Sequence, residues 1–202
     1  KDADISEDDL TRIEKDLVDQ PRVQITLMRH MGQSYSGIGS WPEAKALIER
    51  SVAAARDKLG ADDVELIRSL EALGHVHYNM TRYEDAQRVF EEAAAIRTAT
   101  GLDRNAAAAR LQHSIATVLN VRQKYAEAMQ VHRKAEALAR ALQPPDPAVL
   151  GHVLQGFAYT LNERGELAEA ERYARESLPL LRGVVYEGFD LYANSLYVYA
   201  NI

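Results

Sequence analysis

The chain contains no cysteine, which excludes a disulfide framework, a thiolate zinc site and a cysteine nucleophile. It is also short of positive charge. Asp and Glu number 30 against 24 Lys and Arg, the formal net charge is -6, and no Lys/Arg run occurs that could track a phosphate backbone. A nucleic-acid partner is therefore not expected, although other helical-hairpin repeats do read one base per unit. No apolar stretch reaches the roughly 18 residues needed to span a bilayer, and the acidic start Lys1-Asp2-Ala3-Asp4 does not resemble a signal peptide. The expectation is a protein with no membrane partner, in the cytoplasm. Strand-type alternation is missing as well.

Catalytic signatures are missing in the same way. The sequence has no G-x-x-x-x-G-K-[ST], no G-x-S-x-G, no H-E-x-x-H and no H-x-E followed by C-x-x-C. Gly32, Gly37 and Gly39 cluster, but they lack a phosphate-binding lysine and precede no strand-to-helix switch. The chain is expected not to be an enzyme, with no catalytic residues and no cofactor.

What the sequence has is a repeat. Trp41-Pro-Glu-Ala44, Tyr83-Glu-Asp-Ala86, Tyr125-Ala-Glu-Ala128 and Leu167-Ala-Glu-Ala170 start 42 residues apart each time, with no gap needed. Twelve residues before each alanine stands another small residue, Gly32, Gly74, Ala116 and Ala158, and seven after it stand Ser51, Ala93, Ala135 and Ser177. Small side chains recurring in register are what close helix crossings require, so Gly32, Ala44, Gly74, Ala86, Ala116, Ala128, Ala158 and Ala170 are assigned to repeat packing.

Between these markers the apolar residues keep a helical period, as in Met28, Met31 and Tyr35 or Leu70, Leu73 and His77. Each unit is thus two amphipathic helices, and a 202-residue chain that is 47% hydrophobic has enough apolar side chains for a continuous core. Ser40 with Glu43 and Thr81 with Glu84 fit capping boxes at the start of second helices. Gly60-Ala-Asp-Asp63, Gly101-Leu-Asp103 and Pro144-Pro-Asp-Pro147 separate the units. The resulting division is a leading helix in 1–20, repeats at 21–63, 64–105, 106–147 and 148–189, and a first or capping helix at 190–202. Ser6 to Val18 carries the register of a second helix whose companion is missing, and Leu196, Tyr199 and Ala200 carry that of a first helix. Both ends read as open, as in a piece of a longer array or a chain that covers its ends by self-association.

A small residue, then an aromatic, an acid and an alanine, then a further small residue, resembles the tetratricopeptide repeat. The 42-residue spacing is similar to the long variety of kinesin light chains and of bacterial multidomain regulators. The large aromatic of the motif, four residues past the alanine, is present only as Phe90; Ile48, His132 and Ala174 replace it elsewhere. The resemblance implies an all-α fold, a right-handed superhelix of antiparallel helical hairpins, with first helices lining a concave groove. It also implies a non-catalytic protein-protein interaction scaffold, part of a larger signalling or regulatory protein, that binds a peptide segment. The alternative is an oligomerisation spacer acting through the terminal helices.

The groove is then read one residue after each packing residue, a rotation of about 100° on a helix. That phase selects Arg29, Gln33 and Ser36, then Arg68, Glu71, His75 and Tyr78, then Arg110, His113, Thr117 and Asn120. The fourth unit adds His152, Gln155, Tyr159 and Asn162, and the partial fifth Asn194 and Tyr197. His75, His113 and His152 have no nearby carboxylate to orient them as metal ligands, so no metal is expected. Arg29, Arg68 and Arg110 on one phase of an acidic chain point to a protein or peptide partner bearing carboxylates. The paired asparagines of kinesin light chains are replaced by Arg29-His30, Glu71-Ala72, His113-Ser114 and Gln155-Gly156, so that cargo chemistry does not carry over. A carboxylate clamp would need lysine and asparagine where Arg29 and Gln33 stand.

Overall fold

The computed structural model describes residues 7–182, 184–186, 189–190 and 199–200. A leading helix, α1 (Glu7–Asp16), precedes four hairpins: α2 (Pro21–Gly37) with α3 (Trp41–Lys58), α4 (Val64–Asn79) with α5 (Tyr83–Ala99), α6 (Ala106–Val121) with α7 (Tyr125–Arg140), and α8 (Pro147–Glu163) with α9 (Leu167–Leu181). Two compact units result, residues 1–100 and 101–202. In the first, α3 packs on α4 and α2 touches α4; in the second, α7 packs on α8 and α6 touches α8. Of the expected 190–202 helix only Asp190, Tyr199 and Ala200 are described; Asp190 is extended, Tyr199 and Ala200 are helical, and Leu196 with the expected groove residues Asn194 and Tyr197 lies outside the described residues.

One segment departs from the helical expectation. Val185–Tyr186 and Phe189–Asp190 form a two-residue antiparallel pair, β1 and β2. Three of the four are β-branched or aromatic, residues that favour extended backbone.

The 42-residue register has a backbone cause at the turns inside the hairpins. Gly39, Thr81, Gln123 and Gly165 occupy equivalent positions and all have φ between 58° and 83°. Each follows a first helix in a Schellman arrangement. The N–H groups of Ser40, Arg82, Lys124 and Glu166 donate to the carbonyls of Tyr35, His77, Leu119 and Leu161, five residues back. The turn residues' own N–H groups donate to Ser36, Tyr78, Asn120 and Asn162. This geometry overrides both expected capping boxes. Ser40 makes no side-chain cap bond, and Thr81 lies outside α5, whose cap position is Arg82. Side-chain caps serve the first helices instead: Asp63, Asn105 and Asp146 accept from the N–H groups of Glu65, Ala108 and Val149.

A β-branched residue in the left-handed region costs roughly 1–2 kcal/mol that glycine avoids. Thr81→Gly is accordingly expected to stabilise residues 1–100 by about 1 kcal/mol after glycine's larger unfolded-state entropy. Trp41, the single tryptophan, provides the fluorescence readout in urea. A lower midpoint would refute the assignment of strain to this turn.

Packing follows the small-residue columns. Ala44, Ala86, Ala128 and Ala170 are fully buried, as are Ala116 and Ala158. A Cβ added at Gly32 would lie 2.5 Å from Ile48 Cγ1, and one at Gly74 would overlap the ring of Phe90. The column therefore reads as pairs: Gly32 beside Ile48, Gly74 beside Phe90, Ala116 in register with His132, Ala158 with Ala174. Where the partner is large and apolar, the small residue must be glycine. Around these contacts Ile25, Met28, Leu47, Leu66, Ile67 and Leu70 fill the first unit, and Leu154, Phe157, Leu161 and Leu181 the second. Each such side chain stabilises by roughly 1.5–3 kcal/mol relative to exposure. On the outside, Arg56–Glu92 and Arg140–Glu176 tie consecutive second helices and are the same bond two repeats apart. Being exposed, they are worth at most about 1 kcal/mol each.

Candidate functional site

The first helices present an open face, the side not covered by their own second helices, and the two units furnish it differently. In residues 1–100 the face is charged but internally neutralised. Glu65 is 4% exposed. Its Oε2 accepts from Arg29 Nη2 at 3.2 Å and from Thr26 Oγ1 at 3.3 Å, and its Oε1 accepts from Arg68 Nη1 at 2.5 Å. Arg29 is itself buried, reaches Gln33 Oε1 at 3.4 Å, and leaves its Nε without a partner. Glu71 takes Arg97 at 2.8 Å. At the edge, Arg22 forks onto Asp63 at 2.6 and 3.1 Å. Burial raises the pKa of Asp63, but the hydrogen bonds from Arg22 and the Glu65 N–H outweigh it and hold the carboxyl below its ordinary value. His75 is exposed, edge-on to Phe90, and Tyr78 is half-buried, edge-on to Tyr83. Gln33 is exposed and Ser36 half-buried.

The second unit carries almost no charge on this face. Along α6 there is one cation, Arg110, and no acid, and along α8 no Asp, Glu, Lys or Arg precedes the terminal Glu163. Arg110, half-buried, has no ion-pair partner among the described residues. Thr117 donates to the carbonyl of its own helix at His113. Asn120 is buried; its Nδ2 donates to Thr160 Oγ1 at 2.6 Å, while its Oδ1 is an acceptor without a partner. Tyr159 is 45% exposed and Asn162 half-buried. His113 and Gln155 are buried, and the ring of His113 lies 4.2 Å from that of His152.

Arg110, Thr117, His152, Tyr159 and Asn162 thus keep exposed surface on α6 and α8, whereas Arg29, His113, Asn120 and Gln155 are buried. Residues of the phase one step past the packing column sit at the seam of adjacent first helices, where burial depends on the neighbour. Glu65, Arg97, Thr160 and His132 bear on the site but follow from no groove rule. Glu65 did leave a signal. Its column otherwise holds Val23, Ala107 and Val149, so a lone acid there had to find a cation. Among the described residues no group of three or more His, Asp or Glu is arranged to hold a metal ion, and no helix is long and apolar enough to cross a membrane.

Two family models, both described as tetratricopeptide repeat, match residues 23–99 and 152–185, together more than half of the chain. The chain belongs to the tetratricopeptide repeat family. Tetratricopeptide repeats are generally non-catalytic modules for protein-protein interaction. No curated protein matches in sequence. Solved structures agree on the all-α repeat fold. BtubC (BKLC) from P. vanneervenii aligns with a TM-score of 0.74 at 14% identity, over 81% of this chain and 65% of that one. The chain therefore spans less than two thirds of that relative's length. The nearly identical TPR-like repeats of a kinesin light chain candidate from Podosopora anserina align with a TM-score of 0.71 at 17% identity, over 88% and 84% of the two chains. MamA aligns with a TM-score of 0.60 at 15% identity, over 87% and 88%. At these identities the likeness carries the fold alone.

Proposed function

We propose that this tetratricopeptide repeat chain is a scaffold that binds an acidic peptide segment along the open face of α6 and α8. The observation that supports it most is Arg110, a cation without an internal counter-ion in a stretch free of carboxylates. Further along α6 and α8 stand partly exposed groups that hydrogen-bond without charge: Thr117, Asn162 and the exposed Tyr159. An Arg fork selects carboxylates, and Tyr gives contact area at low entropic cost. The same reasoning moves weight away from Arg29 and Arg68. Their charge is shared with Glu65, so a ligand carboxylate would have to compete with a buried ion pair. A place in a larger signalling or regulatory protein of the cytoplasm belongs to this reading.

The test is a peptide array probed with the whole chain, followed by calorimetry on the best binders. Peptides carrying Asp or Glu should be enriched, and Arg110→Ala with Tyr159→Ala should weaken them about tenfold or more, roughly 1.4 kcal/mol, with the helical signal unchanged. Equal affinity in that variant would remove α6 and α8 from the site.

Self-association is the second reading, favoured by α2. Val23 and Leu27 are 51% and 39% exposed, whereas Glu65 and Ser69 on α4 and Val149 and Val153 on α8, their register equivalents, are buried. A helix from a second copy would find there the seat that a first helix uses elsewhere. Light scattering over a concentration series should then show a mass increase that Leu27→Glu abolishes.

A further inference from the structure

His132 stands where the second hairpin has Phe90, yet it is fully buried and neither ring nitrogen has a hydrogen-bond partner. Its ring is stacked on Phe157 at 5.2 Å and 12°, and on its other side lies His113 at 5.9 Å, which in turn meets His152 at 4.2 Å. Three imidazoles from α6, α7 and α8 thus touch in series. The stack is fitted closely, since a Cβ at Gly156 would overlap His113 and come within 3.2 Å of His132 Cε1. Neutral imidazoles tolerate this arrangement. A cation at His132 would have neither a hydrogen-bond partner nor a carboxylate beside it.

The charged groups on the packed helices do not change that. On α6, Arg110 lies one turn before His113 and adds positive charge. On α7, Arg133 and Lys134 are exposed, and Glu136, one turn past His132, is engaged by Arg140 Nε at 2.9 Å and by the Tyr173 hydroxyl at 3.1 Å. On α8 no acid precedes Glu163. On α9, Arg172 lies over the ring of Tyr173.

We propose that His113, His132 and His152 form an acid-sensitive latch: a proton entering the stack separates α8 from α6 and α7 and reshapes the open face shared by Arg110, His152 and Tyr159. The inference rests on reading that face as the binding surface, and makes its occupancy dependent on pH.

Burial alone pushes His132 down to about 3 from an ordinary 6.5. The folded value lies below the unfolded one, so the open state binds more protons. Stability is therefore complete above about pH 6.5 and is lost as pH falls from there toward 3. Between pH 7.5 and 5.0 one such group raises the opening constant about 30-fold. In residues 1–100 burial likewise lowers His77, with Arg82 and Lys45 acting in the same sense and Asp85 and Glu49 opposing it.

Hydrogen exchange on the whole chain tests this, with rates corrected for the intrinsic pH dependence of exchange. Protected amides of α7 and α8 should open about 30-fold more at pH 5.0 than at pH 7.5, and His132→Leu should hold the ratio below about threefold. Should that variant not fold, His132→Phe with Ala116→Gly, which restores the Gly74–Phe90 pairing, serves in its place. A wild-type ratio near one overturns the latch by itself, as does an undiminished ratio in a folded variant. Acid opening without any peptide bound at either pH would instead overturn the binding reading and leave the latch standing.

Discussion

Glu65→Gln is expected to destabilise residues 1–100 by about 3–5 kcal/mol, the loss typical when one partner of a buried ion pair is removed. The cause is what remains. Arg29 is 7% exposed and already has an unsatisfied Nε, and a glutamine oxygen at position 65 would still accept its hydrogen bond but bring no counter-charge. Arg68 lies mostly in solvent and loses little. Arg29→Met together with Glu65→Met should restore most of the stability, because a well-packed apolar pair replaces a desolvated ionic one at little net cost. Urea unfolding followed at Trp41 separates the variants. A Glu65→Gln midpoint within error of wild type would show that water, not Arg29, neutralises Glu65. Glu65→Gln bears on function as well, since it frees the half-exposed Arg68 from the carboxylate that now pre-empts an acidic ligand.

The second large effect lies in the packing column. Phe90→Ala should cost about 4 kcal/mol, as large-to-small changes at a closed site do, and Gly74→Ala about 2 kcal/mol through overpacking against the Phe90 ring. Together they should cost about 4 rather than 6 kcal/mol, because the new methyl enters space the ring has left and the pair becomes that of Ala158 and Ala174. Strict additivity would mean that the two residues do not share one volume.

These pairs mark how far the sequence is legible. The Gly32, Gly74, Ala116, Ala158 series and the Ile48, Phe90, His132, Ala174 series are each visible as periodic columns, and they place every hairpin. Their compensation is not visible, because contact across a hairpin depends on the interaxial distance rather than on period. The groove shows the same limit. A 100° rotation predicts which way a side chain leaves its helix, yet Arg29, His113, Asn120 and Gln155 are buried by a neighbouring first helix whose approach no single-helix rule contains. The capping boxes failed for a related reason. The Schellman turn sets the backbone there, Ser40 makes no side-chain cap bond, and Thr81 is left outside α5.

Those turns also bear on how the chain acquires its structure. Each first helix reaches its second through three residues held by hydrogen bonds no more than five residues long, so closing a hairpin carries almost no loop-entropy cost. Contacts between hairpins reach further along the chain, 18 residues at Ser51–Ser69 and 36 and 41 at Arg29–Glu65 and Arg22–Asp63. Collapse therefore begins within hairpins and spreads outward across their seams, at the high rates of low-contact-order helical folds. On that route Glu65, Asn120 and the histidine stack, all at seams, are expected to be ordered after the hairpins that carry them.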